Sequence, residues 1–264
     1  MTGTNGGGPT GSWGAESWAE FQEDQTRGLI EATLDALEVR PGMRVLDVGC
    51  GSGLALELAL ARGATVSGTD ATPELLAVAA KRLPYGVELP VGDLENLPFE
   101  ADVFDAVMSY NALRYATDPV RAVREFARVV HPRGQIGIGG WGEPQRCETT
   151  GFLFGVLTLY PELPRGAHDK AANSPAQVRA AMEAADLRIV RTGEVSCPFV
   201  YPDLETAWRA LGATELVQGA IALRGEPTVR EVFDRHFARA VRADGSVRQE
   251  NVFEYAVGVA DQPK

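Results

Sequence analysis

Val45-Leu46-Asp47-Val48-Gly49-Cys50-Gly51-Ser52-Gly53 decides the architecture of this 264-residue chain. An apolar run holding one aspartate passes straight into a glycine loop. Leu54 to Arg62 then carries helical spacing, closed by Gly63. A buried strand that turns through glycines into a helix offers bare backbone to a ligand, and the helix N-terminus adds free N–H groups. The spacing is G-x-G-x-G. The dinucleotide fingerprint needs a glycine where Leu54 stands, and the Lys-Ser/Thr pair of a nucleoside-triphosphate loop is missing. Asp70, at the end of the next apolar run, can take both hydroxyls of a ribose, and Asp93, at the end of the one after, can accept from an exocyclic amine. A nucleoside without a pyrophosphate is the economical ligand.

Outward from this segment, short apolar runs alternate with amphipathic stretches, the pattern of a parallel sheet covered by crossover helices. The runs are residues 44–48, 65–69, 87–91, 104–109 and 135–139. Thr72-Pro73 and Asp118-Pro119 predict helix starts with a capping side chain and proline at the first position. His131-Pro132-Arg133-Gly134 predicts the turn into the fifth run. Upstream, Trp18, Phe21, Leu29, Ile30, Thr33, Leu34 and Leu37 recur at helical spacing, so residues 13–38 are expected to form cap helices, with 1–12 a flexible tail. Downstream, residues 141–173 hold aromatics broken by Pro161 and Pro164, irregular enough to suggest an inserted lid. Ser174 and Gln177 form a capping box for a helix to Ala185. Residues 187–201 read as a strand, 203–223 as one helix, and 228–241 as another opened by a Thr228/Glu231 capping box. These two helices lie in a second insert, 203–243. Residues 251–260 read as the last strand of a single domain, 13–264.

The composition excludes several classes. With 25 basic against 36 acidic side chains, the net charge of -11 argues against a nucleic-acid binder, which needs a basic face. Cys50, Cys147 and Cys197 are too few and too scattered for a disulfide framework or a zinc site, so no metal is expected and a reducing cytoplasm fits. No apolar run reaches the roughly 18 residues of a membrane span.

Residues 45–53, Asp70, Gly92-Asp93 and the 118–134 helix and turn resemble the class I S-adenosylmethionine-dependent methyltransferases, in particular the small-molecule branch of ubiquinone and menaquinone biosynthesis. The resemblance covers about residues 40–140. It implies a doubly wound, Rossmann-like α/β fold, with a seven-stranded, mostly parallel sheet and a final antiparallel strand. It also implies S-adenosyl-L-methionine as cofactor. By position, Asp47, Gly49, Cys50, Gly51 and Gly53 would hold its methionine portion, Asp70 and Ala71 the ribose, Asp93 and Leu94 the adenine. Ser109 and Asn111 would close over the methionine and sulfonium. The usual Lys-Pro-Gly-Gly turn is His131-Pro132-Arg133-Gly134 here. Where many relatives carry a histidine pair, this chain has Asn111-Ala112-Leu113-Arg114-Tyr115, so no catalytic residue is inherited.

Trp13, Trp18, Phe21, Tyr110, Arg114, Trp141 and Phe152 are candidates for an apolar substrate pocket, although helical core packing explains Trp13, Trp18 and Phe21 almost as well. Tyr110, Arg114, Tyr115 and His168 are the candidates for catalysis. His131 reads as a surface residue and His236 as a packing residue. With His168 only a weak candidate for a base, the expected reaction is methyl transfer to an acidic hydroxyl or a carbon of a small, largely apolar molecule. A non-methylating cyclisation or isomerisation on bound cofactor, and a cofactor-binding protein without turnover, are the rival readings. A monomer or homodimer acting on a small molecule is expected.

Overall fold

A computed structural model describes Ala19 and residues 23–160, 174–212 and 214–260. Six strands form the main sheet: β1 (Arg44–Val48), β2 (Thr65–Thr69), β3 (Phe104–Tyr110), β4 (Val130–Trp141), β5 (Leu187–Ser196) and β8 (Val252–Ala260), in the order β2-β1-β3-β4-β8-β5. The pairs β2/β1, β1/β3 and β3/β4 are parallel, whereas β8 enters between β4 and β5 and runs opposite to both. The mostly parallel sheet and its late antiparallel strand are as the sequence predicts.

Alternation along β1 sends Leu46 and Val48 to one face of the sheet and Val45 to the other. Two helices, α4 (Pro119–Val129) and α6 (Pro175–Ala184), cover the first face, where Phe126, Val107, Ile136 and Met182 are fully buried. Ala122, Val123, Phe126 and Val129 make the inward stripe of α4, and Arg121 and Arg124 face solvent. On the second face lie α1 (Arg27–Ala36), α2 (Leu54–Ala61) and α3 (Pro73–Arg82). α1 crosses β4 closely: a Cβ at Gly137 would stand 2.9 Å from Thr33 Cγ2 and 3.0 Å from Leu37 Cδ1.

A third core joins α5 (Glu148–Leu159), α7 (Leu204–Gly212), α8 (Glu215–Arg224) and α9 (Glu226–Phe237). It also takes in a two-stranded sheet of β6 (Phe199–Tyr201) and β7 (Val247–Gln249). Asn251 ties it to the main sheet. Its Oδ1 accepts from Thr149 N at 3.1 Å, and its Nδ2 donates to Thr149 Oγ1 at 2.9 Å. The three cysteines are buried and unpaired.

Several expectations are corrected. The third run does not form a continuous strand: it meets β2 only in the isolated bridges Ser67/Glu88 and Asp70/Val91, so six strands are continuous where seven were expected. The strand expected over 187–201 breaks at Cys197-Pro198 into β5 and β6, because proline cannot donate to the ladder. Residues 203–223 hold two helices. α9 begins at Glu226, and the Thr228 hydroxyl donates to Arg224 O at 3.1 Å instead of capping. Thr72 makes no side-chain cap. Asp118 does, accepting from Val120 N and Arg121 N, and the Ser174/Gln177 capping box is complete. Within 141–160 the chain forms the regular helix α5. Residues 1–12, most of 13–22, and 161–173 lie outside the described residues.

Candidate functional site

The loop after β1 needs its glycines. Gly49, Gly51 and Gly53 have φ of 78°, 53° and 89°, where side chains are disfavoured. A Cβ at Gly49 would also come within 2.3 Å of Ala112 Cβ. The loop therefore lies directly against the segment that follows β3. Gly49 N and Cys50 N donate to Thr69 O at 2.8 and 3.0 Å, locking the loop to the end of β2.

Asp70 follows β2 and is held at both oxygens: Gly51 N donates to Oδ2 at 2.9 Å and Thr72 N to Oδ1 at 2.8 Å. Each oxygen keeps accepting capacity for a further donor. Burial raises its pKa, and these N–H groups oppose the rise. Asp47 is 2% exposed, and its Oδ1 has no hydrogen-bond partner. Burial raises its pKa well above the ordinary range, and the carboxylates of Asp70 and Glu23 push it further. An orphaned acid beside two other carboxylates and open backbone suits a cationic ligand. Burial first, and Asp47 next, raise the pKa of the Cys50 thiol.

The other expected cofactor residues occupy the same edge of the sheet. Ser109 donates to Val48 O at 2.8 Å and is buried between β1 and β3. Asn111, with φ of 55°, links the ends of β3 and β4: its N donates to Gly139 O at 2.9 Å, and its Oδ1 accepts from Trp141 N at 3.2 Å. Gly92 N donates to Asp70 O at 3.1 Å and so places Asp93 beside the ribose candidate. Asp93 is exposed and accepts from Glu95 N at 2.8 Å, Leu94 packs on the core beneath α4, and Ala71 is exposed.

Glu23 was not foreseen. It is buried, and its Oε1 accepts from Ser52 Oγ at 2.7 Å and from Leu54 N at 3.1 Å. Its Oε2 pairs with Arg82 Nη1 at 2.5 Å, and Arg82 also donates to Ser52 O at 3.0 Å. The first turn of α2, where a bound phosphate would sit in a dinucleotide fold, thus already holds a protein carboxylate. No local spacing links positions 29 and 31 residues apart, so no sequence pattern marks Glu23.

Next to the loop, a small cleft opens beyond the ends of β3 and β4. Asn111, Leu113, Arg114, Trp141, Arg179 and Glu254 are among its lining residues. Of the expected pocket residues, Arg114 and Trp141 line it, and the Trp141 ring rests 4.5 Å from that of Phe253. Tyr110 does not. Its ring lies against Gly139, its hydroxyl is 3.8 Å from Met108 Sδ, and burial, then Asp47, raise its pKa. Phe152 is fully buried in the third core, 5.6 and 5.8 Å from the rings of Phe233 and Phe237. Tyr115 lies beneath Arg114, whose guanidinium carbon is 5.7 Å from the ring centroid. Trp13, Trp18, Phe21 and His168 lie outside the described residues. His236 contacts Glu148 O at 3.0 Å and packs on Phe152 and Phe237. Among the described residues, no group of three metal-ligating side chains exists, and no helix is long and apolar enough to cross a membrane.

Residues 46–138 match the family model described as a methyltransferase domain. An uncharacterized protein of Mycobacterium tuberculosis is 36% identical over 161 residues, which cover 60% of this chain and 57% of that protein. A demethylmenaquinone methyltransferase of Mycolicibacterium paratuberculosis is 35% identical over 160 residues, 58% of this chain and 65% of the relative. Two solved structures share the fold. A geranyl diphosphate C-methyltransferase from Streptomyces coelicolor, in complex with S-adenosyl-L-homocysteine, aligns at TM-score 0.54 and 18% identity, over 89% of this chain and 80% of its own. The [4+2]-cyclase SpnF aligns at TM-score 0.56 and 21% identity, over 89% and 80%. The matched segment begins inside β1 and ends inside β4, carrying the glycine loop and Asp70 with it; over residues 46–138 the chain is similar to methyltransferase domains, and it spans 57–65% of the length of the two curated relatives named above.

Proposed function

We propose that the chain transfers a methyl group from S-adenosyl-L-methionine to an O, C or N atom of a small, largely apolar molecule. The observation that carries this reading is the orphaned carboxylate of Asp47 at the glycine loop, one strand away from an apolar cleft. Asp47 and the loop glycines would hold the methionine portion, Asp70 the ribose hydroxyls, and Asp93 with Leu94 the adenine. Asn111 stands between loop and cleft. When bound, the cofactor supplies a methyl group already activated on a sulfonium.

What remains for the protein is alignment and the exclusion of water, and correct alignment alone is worth about 7–11 kcal/mol. A dedicated base is not required if the acceptor ionises readily. Tyr110, turned from the cleft with its proton held by burial, does not act as one. An acidic hydroxyl or an activated carbon is therefore the favoured acceptor.

Calorimetry with S-adenosylhomocysteine tests the cofactor site. Asp70→Ala is expected to weaken binding roughly 100-fold, or about 2.8 kcal/mol, with the circular-dichroism spectrum unchanged. Unaltered affinity would falsify the ribose assignment. Incubation with methyl-labelled cofactor and a panel of phenols and quinols tests the reaction. Conversion of an acceptor without uptake of label would replace methyl transfer by a rearrangement on bound cofactor.

A further inference from the structure

Among the described residues, Arg114 is the one unmatched charge in the cleft. Three charged side chains line it: Arg114, Arg179 and Glu254. Arg179 pairs with Glu254 at 3.3 Å, so those two cancel. The Nε of Arg114 is buried without a hydrogen-bond partner, and Arg114 forms no ion pair with any described residue. Its guanidinium carbon instead lies over the Tyr115 ring, 5.7 Å from the centroid. The rest of the wall carries no charge: Leu113, Ile138, Trp141 and Val178 are apolar, and Asn111 and Ser174 are neutral polar residues.

A guanidinium with a buried, unpartnered Nε in a largely uncharged cleft is suited to a bidentate oxyanion. The lining sums to a single positive charge, so a monoanion balances it, whereas a phosphate dianion would leave negative charge facing Glu254. We propose that the acceptor of this cleft carries a carboxylate on a largely apolar body and that Arg114 binds that carboxylate. This rests on the methyl-transfer reading for the word acceptor, but the anion site itself does not depend on turnover.

The test uses the full chain saturated with S-adenosylhomocysteine, with calorimetry against three matched pairs: 4-hydroxybenzoate, 4-hydroxyphenylacetate and octanoate, each with its uncharged amide. At least one carboxylate is expected to bind 10-fold or more tightly than its amide. Arg114→Gln should bring that ratio close to one, and Arg114→Lys should restore part of it, while affinity for S-adenosylhomocysteine stays within twofold in both. If no carboxylate outbinds its amide, or if the preference survives in Arg114→Gln, the inference is overturned. 4-Hydroxyphenyl phosphate binding more tightly than 4-hydroxybenzoate would likewise reject the monoanion. Failure of S-adenosylhomocysteine to bind would instead count against the methyl-transfer reading, and the same pairs can then be measured on the free chain.

Discussion

Asp47 shows how a residue's role and its cost to the fold can be one property. Its carboxyl is buried, lacks a partner at Oδ1, and faces Asp70 and Glu23. The folded pKa lies above the ordinary value of 3.8, so between these two values the native state binds more protons than the unfolded chain. Stability is therefore lost as pH rises through that window, and below it Asp47 carries no penalty. In the cofactor-free chain, Asp47→Asn should stabilise the fold by about 1–3 kcal/mol at neutral pH, with the difference vanishing near pH 4. Thermal melts from pH 4 to 8 check this; a variant destabilised equally at every pH would show that the carboxyl is matched in the fold. The same substitution should weaken the cofactor, because the methionine ammonium loses its charged partner. At this scale the placement of the candidate residues was legible: Asp47, Asp70 and the glycines stand at the strand, loop and helix start that the sequence pattern marks. Glu23 was not, because its contacts with Ser52 and Arg82 are made only by the folded chain.

Elements were legible where one physical rule dominated. β1, β2 and the helix after Asp118 follow from apolar runs and a capping aspartate, and the structure agrees within a residue. The rule fails where tertiary contact decides. Residues 87–91 have the apolar pattern of a strand, yet they touch β2 only at two bridges. β6 and β7 have three residues each, too short for any periodicity, and exist because they pair with each other. β4 is a further case. Residues 131–134 read as a turn, but the strand runs through them from Val130 to Trp141, and within it Gly137 permits α1 to lie against the sheet. Gly137→Ala would place a methyl 2.9 Å from Thr33 Cγ2 and 3.0 Å from Leu37 Cδ1, and neither is the far end of a long flexible side chain. We expect a loss of about 1–3 kcal/mol by overpacking, measured by urea denaturation. Pairing it with Thr33→Ser, which removes the nearer obstructing methyl, should recover part of that loss. No recovery would show that the cost lies in the strand itself, away from the α1 contact.

On the scale of the whole molecule, the net charge of -11 bears on the site as well as on solubility. The resemblance assigns three aspartates, Asp47, Asp70 and Asp93, to the cofactor. The fold adds Glu23 to the carboxylates that raise Asp47, so negative potential is concentrated at the glycine loop. S-adenosylmethionine carries one net positive charge, and S-adenosylhomocysteine, having lost the sulfonium, carries none. The two should then respond differently to salt. The screening length falls from roughly 30 Å at 0.01 M to about 3 Å at 1 M, which removes the attraction of distant carboxylates and leaves direct hydrogen bonds in place. Between 0.02 and 0.5 M sodium chloride, affinity for S-adenosylmethionine should fall about three- to tenfold, and that for S-adenosylhomocysteine less than twofold. Calorimetric titrations of both molecules across that range measure the two slopes. Equal slopes would mean that the potential at the loop is already balanced by nearby arginines. Diverging slopes would mean that loss of the sulfonium charge itself weakens the hold on the product, a release step built into the charge of the chain and requiring no moving part.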